Sequence, residues 1–227
     1  LGLSSMLPDG PVVLVRGRSV PWVDDWLTKV RASGRQVAVV VAQGEPSLPH
    51  LDAALHALAG EAPRRVVAIG GGSVIDLGKA LSALLPAPGA PMDHLEVVGA
   101  GKPLEVDPIP LIAVPTTAGT GAEATKNAVI DVPQHRRKVS LRDPRMVPDV
   151  ALLDADLTTG TPSQVTLASG MDAVTQLIEP FLSSRARPDI DRWCASAIGP
   201  GLRALRALSS GEDPGARDVL LRAAHLS

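Results

Sequence analysis

Aromatic and sulfur chemistry are nearly absent from this sequence: of 227 residues one is cysteine, one phenylalanine, three tryptophan and none tyrosine. With Cys194 alone there is no internal disulfide and no Cys-rich structural zinc site. Without tyrosine, no mechanism can use a phenolic general acid. Aromatics at 2% leave Val, Leu, Ile and Ala to fill the core, which suits buried parallel strands and the helices covering them. No apolar run approaches the roughly 20 residues that span a bilayer. The start, Leu1-Gly2-Leu3-Ser4-Ser5, has neither the basic segment nor the long apolar stretch of a signal peptide. A net charge of −2 gives no basis for a nucleic-acid or anionic-membrane partner. The expectation is a cytoplasmic protein with no membrane and no nucleic-acid partner.

What is present is ordinary in bulk and organised in order. Apolar residues at 45% and charged residues at 20% suit a globular chain with a real core. Apolar runs at Val12–Val15, Val37–Ala42, Val66–Ile69, Leu111–Val114 and Val150–Leu153 predict strands. Helical patterns over Pro21–Ala32, Leu51–Leu58 and Val74–Leu85 lie between them, with Gly34 placed to end the first. Strands buried on both faces and joined through helices predict a parallel α/β sheet. The Pro- and Gly-rich stretch 86–110 predicts an extended loop containing a strand or hairpin. Thr161-Pro162-Ser163-Gln164 predicts a helix start, with Thr161 as cap and Pro162 as first helical residue. Beyond it only helices are expected, which places a boundary near residue 158.

Three segments carry chemistry. Gly70-Gly71-Gly72-Ser73 follows a strand and opens a helix. Missing Cβ atoms let backbone N–H groups reach an anion, and the helix end adds about half a positive charge. The run is not G-x-G-x-x-G, so the usual Rossmann fingerprint is not met. A turn that merely needs small residues explains the run equally well. Pro115-Thr116-Thr117-Ala118-Gly119-Thr120-Gly121 also follows a strand, and ligands of open α/β sheets bind at the carboxyl ends of strands. Two polar loops expected at one edge favour phosphate or ribose binding over a plain connection. Asp172 and Gln176 are four residues apart and share a helix face. That pair is either a polar surface or part of a divalent-metal site that needs further ligands.

With these segments in view, the chain resembles the iron-containing (group III) alcohol dehydrogenase family. The resemblance runs through Gly70-Gly71-Gly72-Ser73-Val74-Ile75-Asp76-Leu77-Gly78-Lys79, Pro115–Glu123, Thr125-Lys126-Asn127-Ala128-Val129-Ile130, Pro148–Asp154 and Gly170-Met171-Asp172-Ala173. It implies an α/β fold: a parallel-sheet dinucleotide-binding domain over residues 1–158, then an incomplete all-helical domain over 159–227. It implies pyrophosphate on Gly71, Gly72 and Ser73 with Asp76 nearby, and Thr116, Thr117 and Thr120 on the nicotinamide side. Asn127 and Lys138 would also reach the cofactor. Asp172 matches the family's carboxylate ligand to a divalent metal, iron or zinc. The implied activity is metal-assisted, NAD(P)-dependent hydride transfer on a small alcohol or aldehyde, in a homo-oligomer. No catalytic side chain is assigned.

Two departures qualify this. Where many relatives carry histidine four residues after the aspartate, this chain has Gln176, a weaker ligand for soft metals. Relatives are longer, and their later histidine ligands fall past Ser227; His225 lies outside the motif and is expected to be a surface residue. A metal-independent reductase of the maleylacetate reductase type and a non-catalytic nucleotide-binding fragment therefore stand as alternatives. NAD-preferring relatives often carry an aspartate just after the first strand, where this chain has Val15-Arg16-Gly17-Arg18-Ser19. Gly17 leaves room for a 2′-phosphate and Arg16 or Arg18 could pair with it, so the expected cofactor is NAD(P) with a leaning to NADP(H). Two surface arginines without a role are the plain alternative.

Overall fold

The computed structural model describes residues 2–18 and 20–227; Leu1, and Ser19 of the stretch after the first strand, lie outside the described residues. Chain packing divides it into two compact units, one of residues 1–114 and 125–151, the other of 115–124 and 152–227.

The first unit is built on the predicted strands. Strands β1 (Val12–Arg16), β2 (Val37–Val41), β3 (Arg65–Gly70), β4 (Leu111–Pro115) and β7 (Val150–Ala151) form one sheet in the order β2-β1-β3-β4-β7. β1 runs parallel to β2 and β3, with Leu14 level with Val39 and Val67, and β4 runs parallel to β7. β1 and β4 are buried at every position, as near-continuous apolar strands require. The two edge strands are less buried: Val39 and Val41 of β2 are exposed, and both residues of β7 are half-buried. Between the strands lie α1 (Trp22–Ala32), α2 (Leu48–Ala57) and α3 (Gly72–Leu84). Gly34 follows α1 at φ 85° and its N–H closes on Arg31 O, while Ser47 caps α2 through the His50 N–H.

Two features of this unit differ from expectation. The Pro/Gly-rich stretch holds a short helix, α4 (Pro91–His94), and no strand. Buried His94 organises it instead, with Nδ1 3.1 Å from Lys102 O and Nε2 3.3 Å from Pro88 O. An antiparallel hairpin, β5 (Asn127–Val132) and β6 (Arg137–Arg142), forms where only a motif was visible.

The second unit is helical. Helices α5 (Ser163–Phe181), α6 (Pro188–Ser210) and α7 (Pro214–Leu226) enclose a core of small and aliphatic residues, including Val174, Leu205, Leu220 and Leu221. Gly170 sits where a Cβ would fall 2.5 Å from Leu205 Cδ2, which allows close helix packing. Asp213 caps α7 through the Ala216 N–H at 3.0 Å. The start of α5 lies one residue later than expected: Pro162 is its cap position and Ser163 its first residue. Thr161 does not cap it because its hydroxyl donates to Thr116 O at 3.3 Å. Among the described residues no helix is long and apolar enough to cross a membrane.

Helix α3 packs on β3 through Gly78, where a Cβ would stand 2.6 Å from Ala68 Cβ. That neighbour is fixed to the strand backbone and cannot swing away. Gly78→Val should therefore destabilise the protein by about 3 kcal/mol, read from urea unfolding; a loss under about 1 kcal/mol would show that α3 shifts at little cost.

Candidate functional site

In the first unit the candidate residues collect around the first turns of α3. Gly70 is required there for packing, since a Cβ would lie 2.5 Å from Val74 Cγ2. Gly71 is extended at the cap position, and its carbonyl accepts from the N–H groups of Val74 at 2.9 Å and Ile75 at 3.2 Å. No side chain caps this helix. The N–H groups of Gly72 and Ser73 precede the intrahelical bonding pattern and remain directed at whatever lies beyond the helix end. An uncapped, glycine-built helix start of this kind can hold an anion. Gly17 joins the site from β1: its N–H donates to Ile69 O at 3.1 Å, and a Cβ on it would stand 3.7 Å from Val74 Cγ2.

Of the two arginines beside Gly17, one is spent. Arg16 is buried, ion-paired with Asp24, and donates to Gly17 O and Val20 O at 3.1 Å each, so it folds the loop rather than facing a ligand. Arg18 is exposed.

Asp76 and Lys79 both reach the backbone of β5. Asp76 Oδ2 accepts from the Val129 N–H at 3.1 Å, and Lys79, one turn on, donates to Thr125 Oγ1 at 2.7 Å and Asn127 O at 3.0 Å. Lys79 was not visible as a site residue in the sequence. Its only local signal is an ionisable residue on the apolar face of a helix, three residues after an aspartate. Lys138 lies level with Asp131 on β6, exposed and ion-paired with Glu45.

In the second unit, the segment 115–124 is held by helices. A Cβ on Gly119 would fall 2.5 Å from Ser169 Cβ, and one on Gly121, at φ 57°, would fall 2.9 Å from Ala224 O. These glycines admit α5 and α7 rather than a ligand. Thr116 and Thr117 are half-buried, and Thr117 lines a small cavity with Thr158, Thr161, Thr166, Ser169 and buried Arg217. Thr120 is exposed, its hydroxyl accepting from the Ala122 N–H at 3.3 Å.

His225 is not a plain surface residue. It is half-buried, with Nδ1 3.2 Å from Oε1 of the buried Glu123. A contact spanning 102 residues leaves no trace in local sequence. Asp172 and Gln176 do share a face: Gln176 Nε2 donates to Asp172 Oδ2 at 2.9 Å, and Gln176 Oε1 accepts from Ser227 Oγ at 3.0 Å. The one atom of Gln176 able to ligate a metal thus has a protein partner. Among the described residues no group of three or more His, Cys, Asp or Glu could hold a metal ion. The residues present do not fit a divalent-metal centre by themselves.

Burial pushes the Asp76 carboxyl above the usual carboxylate range, against smaller downward pulls from the Val129 N–H and Lys79. An acid with a raised folded-state pKa binds its proton more tightly folded than unfolded. Its contribution to stability is then complete below the unfolded value of roughly 4 and is lost as pH rises through the folded value. Asp76→Asn removes that titration. Wild-type stability minus that of Asp76→Asn, from urea unfolding at a series of pH values, should rise as pH falls from 7 toward roughly 4. A flat difference would mean that Asp76 titrates alike in both states.

Comparison with known proteins gives one consistent result. The model of the family described as iron-containing alcohol dehydrogenase matches residues 4–155. The Escherichia coli protein named "Probable alcohol dehydrogenase EutG" is 39% identical over 181 residues, covering 79% of this chain and 45% of that protein. An iron-containing alcohol dehydrogenase from Thermococcus thioreducens superposes with a TM-score of 0.89 at 28% identity, covering 99% of this chain and 61% of that one. Sulfoacetaldehyde reductase from Bifidobacterium kashiwanohense, solved in complex with NAD+, gives a TM-score of 0.86 at 27% identity, covering 99% and 59%. The chain spans about half the length of the curated relatives it matches.

Proposed function

The chain belongs to the iron-containing alcohol dehydrogenase family, and from that membership we propose that it serves an NAD(P)-dependent oxidoreductase of small alcohols and aldehydes. The observation that carries this reading is the uncapped start of α3 at Gly71-Gly72-Ser73, behind Gly70 and beside Gly17. Backbone N–H groups of Gly72 and Ser73 would bind the pyrophosphate, with Asp76 and Asn127 close by in the same unit. Thr116, Thr117 and Thr120 would serve the nicotinamide end, and Lys138 would exchange its Glu45 partner for the cofactor. A bound nicotinamide would supply the hydride acceptor or donor for the carbinol or carbonyl carbon, and the protein's share would be binding and orientation. The 39% identity to a protein named as an alcohol dehydrogenase and the NAD+ bound to the sulfoacetaldehyde reductase of similar fold support this reading.

We place the cofactor preference on Arg18. Arg16 is committed to Asp24 and the loop carbonyls, so the exposed Arg18 is the group left to pair with a 2′-phosphate over Gly17. Calorimetric titration of the full chain should show NADPH binding at least as tightly as NADH. Gly72→Asp should lower both affinities by at least about tenfold, because a carboxylate would face the phosphates. NADH binding about tenfold tighter than NADPH would remove the NADP(H) leaning, and wild-type affinity in folded Gly72→Asp would remove the cradle.

A second reading concerns the metal, which the family implies at Asp172 and Gln176. The Gln176–Asp172 hydrogen bond, which occupies both side chains with each other, favours a reductase that works without one. Metal analysis and activity after chelation separate the readings. The expected outcome is no stoichiometric metal and unchanged turnover; activity lost to a chelator and restored by iron or zinc would return the metal-assisted mechanism.

A further inference from the structure

The outer edge of β5 is closed by two side chains of α3 and by the backbone just before α2 rather than by a full strand. In an antiparallel pair, backbone groups of successive residues point alternately toward and away from the partner strand. Asn127, Val129 and Asp131 share one edge of β5, and each finds a partner away from β6. Asn127 O accepts from Lys79 Nζ at 3.0 Å, the Val129 N–H donates to Asp76 Oδ2 at 3.1 Å, and the Asp131 N–H donates to Pro46 O at 2.8 Å. Asp76 and Lys79, one helical turn apart on α3, stand where a neighbouring strand would bond.

The lysine is fully buried. A buried ammonium is costly and persists only with close acceptors. Lys79 has Thr125 Oγ1 at 2.7 Å and Asn127 O at 3.0 Å, with Asp76 Oδ1 at 3.9 Å. Two of these acceptors belong to the segment that leads into β5, and one is the carbonyl of Asn127 itself. The helix that makes this grip is the one whose first residues form the phosphate cradle.

We propose that Lys79 is a positioning residue for the cofactor, fixing the backbone of Asn127 relative to the Gly71–Ser73 cradle at the head of the same helix. The proposal rests on the cofactor-binding reading above. Asn127 opens β5, so its side chain keeps its place only if the strand end is pinned. Residues that contact a ligand need support of this kind from groups that do not touch it.

The test is a double-mutant cycle on the full chain, with cofactor affinity from calorimetry. Lys79→Met should weaken NADH and NADPH binding by about tenfold, and Thr125→Val, which removes one acceptor, by about threefold. In an Asn127→Ala background, Lys79→Met should add less than about twofold, because the residue it positions is already gone. Amide exchange at Val129 and Asp131 should quicken in both single variants, while β1 and β3 keep wild-type protection. Losses that multiply in full in the double variant would overturn the positioning role, as would unchanged exchange at Val129. Should Lys79→Met fail to fold, Thr125→Val in the same cycle decides the question. Wild-type protein that binds neither nucleotide would overturn the cofactor-binding reading and the positioning role with it, while the exchange data would still decide whether Lys79 pins β5 to α3.

Discussion

Helix α3 lies closer to strand β3 than any side chain at positions 70 or 78 would permit, and the first unit depends on that approach. Gly70 lets the chain turn from strand to helix against Val74, and Gly78 lets the second turn settle on Ala68. A helix held this close to a buried strand presents its first N–H groups at a fixed height above the sheet. It also brings Asp76 and Lys79 within bonding distance of β5. An uncapped helix start at one end and hairpin support at the middle are thus two consequences of one packing contact. The glycines that a motif search reads as phosphate ligands divide the work. Gly70 and Gly78 are steric, while Gly71 and Gly72 begin the uncapped helix end.

The second unit treats its polar loop differently. Segment 115–124 is shaped by what presses on it: Ser169 of α5 against Gly119, and Ala224 of α7 against Gly121. Ala118 is part of the helical core, and Thr161 ties down Thr116 O. Two polar links reach α7 near its end, His225 to Glu123 and Ser227 to Gln176, which in turn holds Asp172. The conformation of the threonine loop is therefore a property of the helices, although the chain reaches it from a strand.

How much of this was legible in the sequence follows the range of the forces involved. β1, β3 and β4 stand out because a strand buried on both faces must be apolar throughout, and their runs are uninterrupted. The β5–β6 hairpin does not, because it alternates buried and exposed residues and turns through Pro133–Arg136 without glycine. Arg136 adopts φ 50° there, a left-handed conformation that no turn motif would have assigned to arginine. The Asp172–Gln176 pair was legible because helical spacing fixes it. Its continuation to Ser227, 51 residues away, and the grip of Lys79 on Thr125, 46 residues away, were not. Local pattern shows which residues share a face, and tertiary packing alone shows what that face meets.

The same distinction governs how charge is used. Around the cradle the sequence offers Arg16, Lys79 and Lys138 as cations that a dianionic pyrophosphate could attract. In the folded unit Arg16 is bound to Asp24, Lys79 to Thr125 and Asn127, and Lys138 to Glu45. The charges that look available are largely spent on structure. In the proposed cofactor site, recognition of the pyrophosphate would then fall first to neutral donors, the N–H groups of Gly72 and Ser73, reinforced by the helix end behind them, with Lys138 joining only by leaving Glu45. Neutral donors act over a short range and only along their bond directions, whereas exposed cations attract from a distance and are screened by salt. A site made this way gains its selectivity from the shape of the turn. Gly70 and Gly78, which are packed against Val74 and Ala68, would accordingly be as necessary to it as the residues proposed to bind.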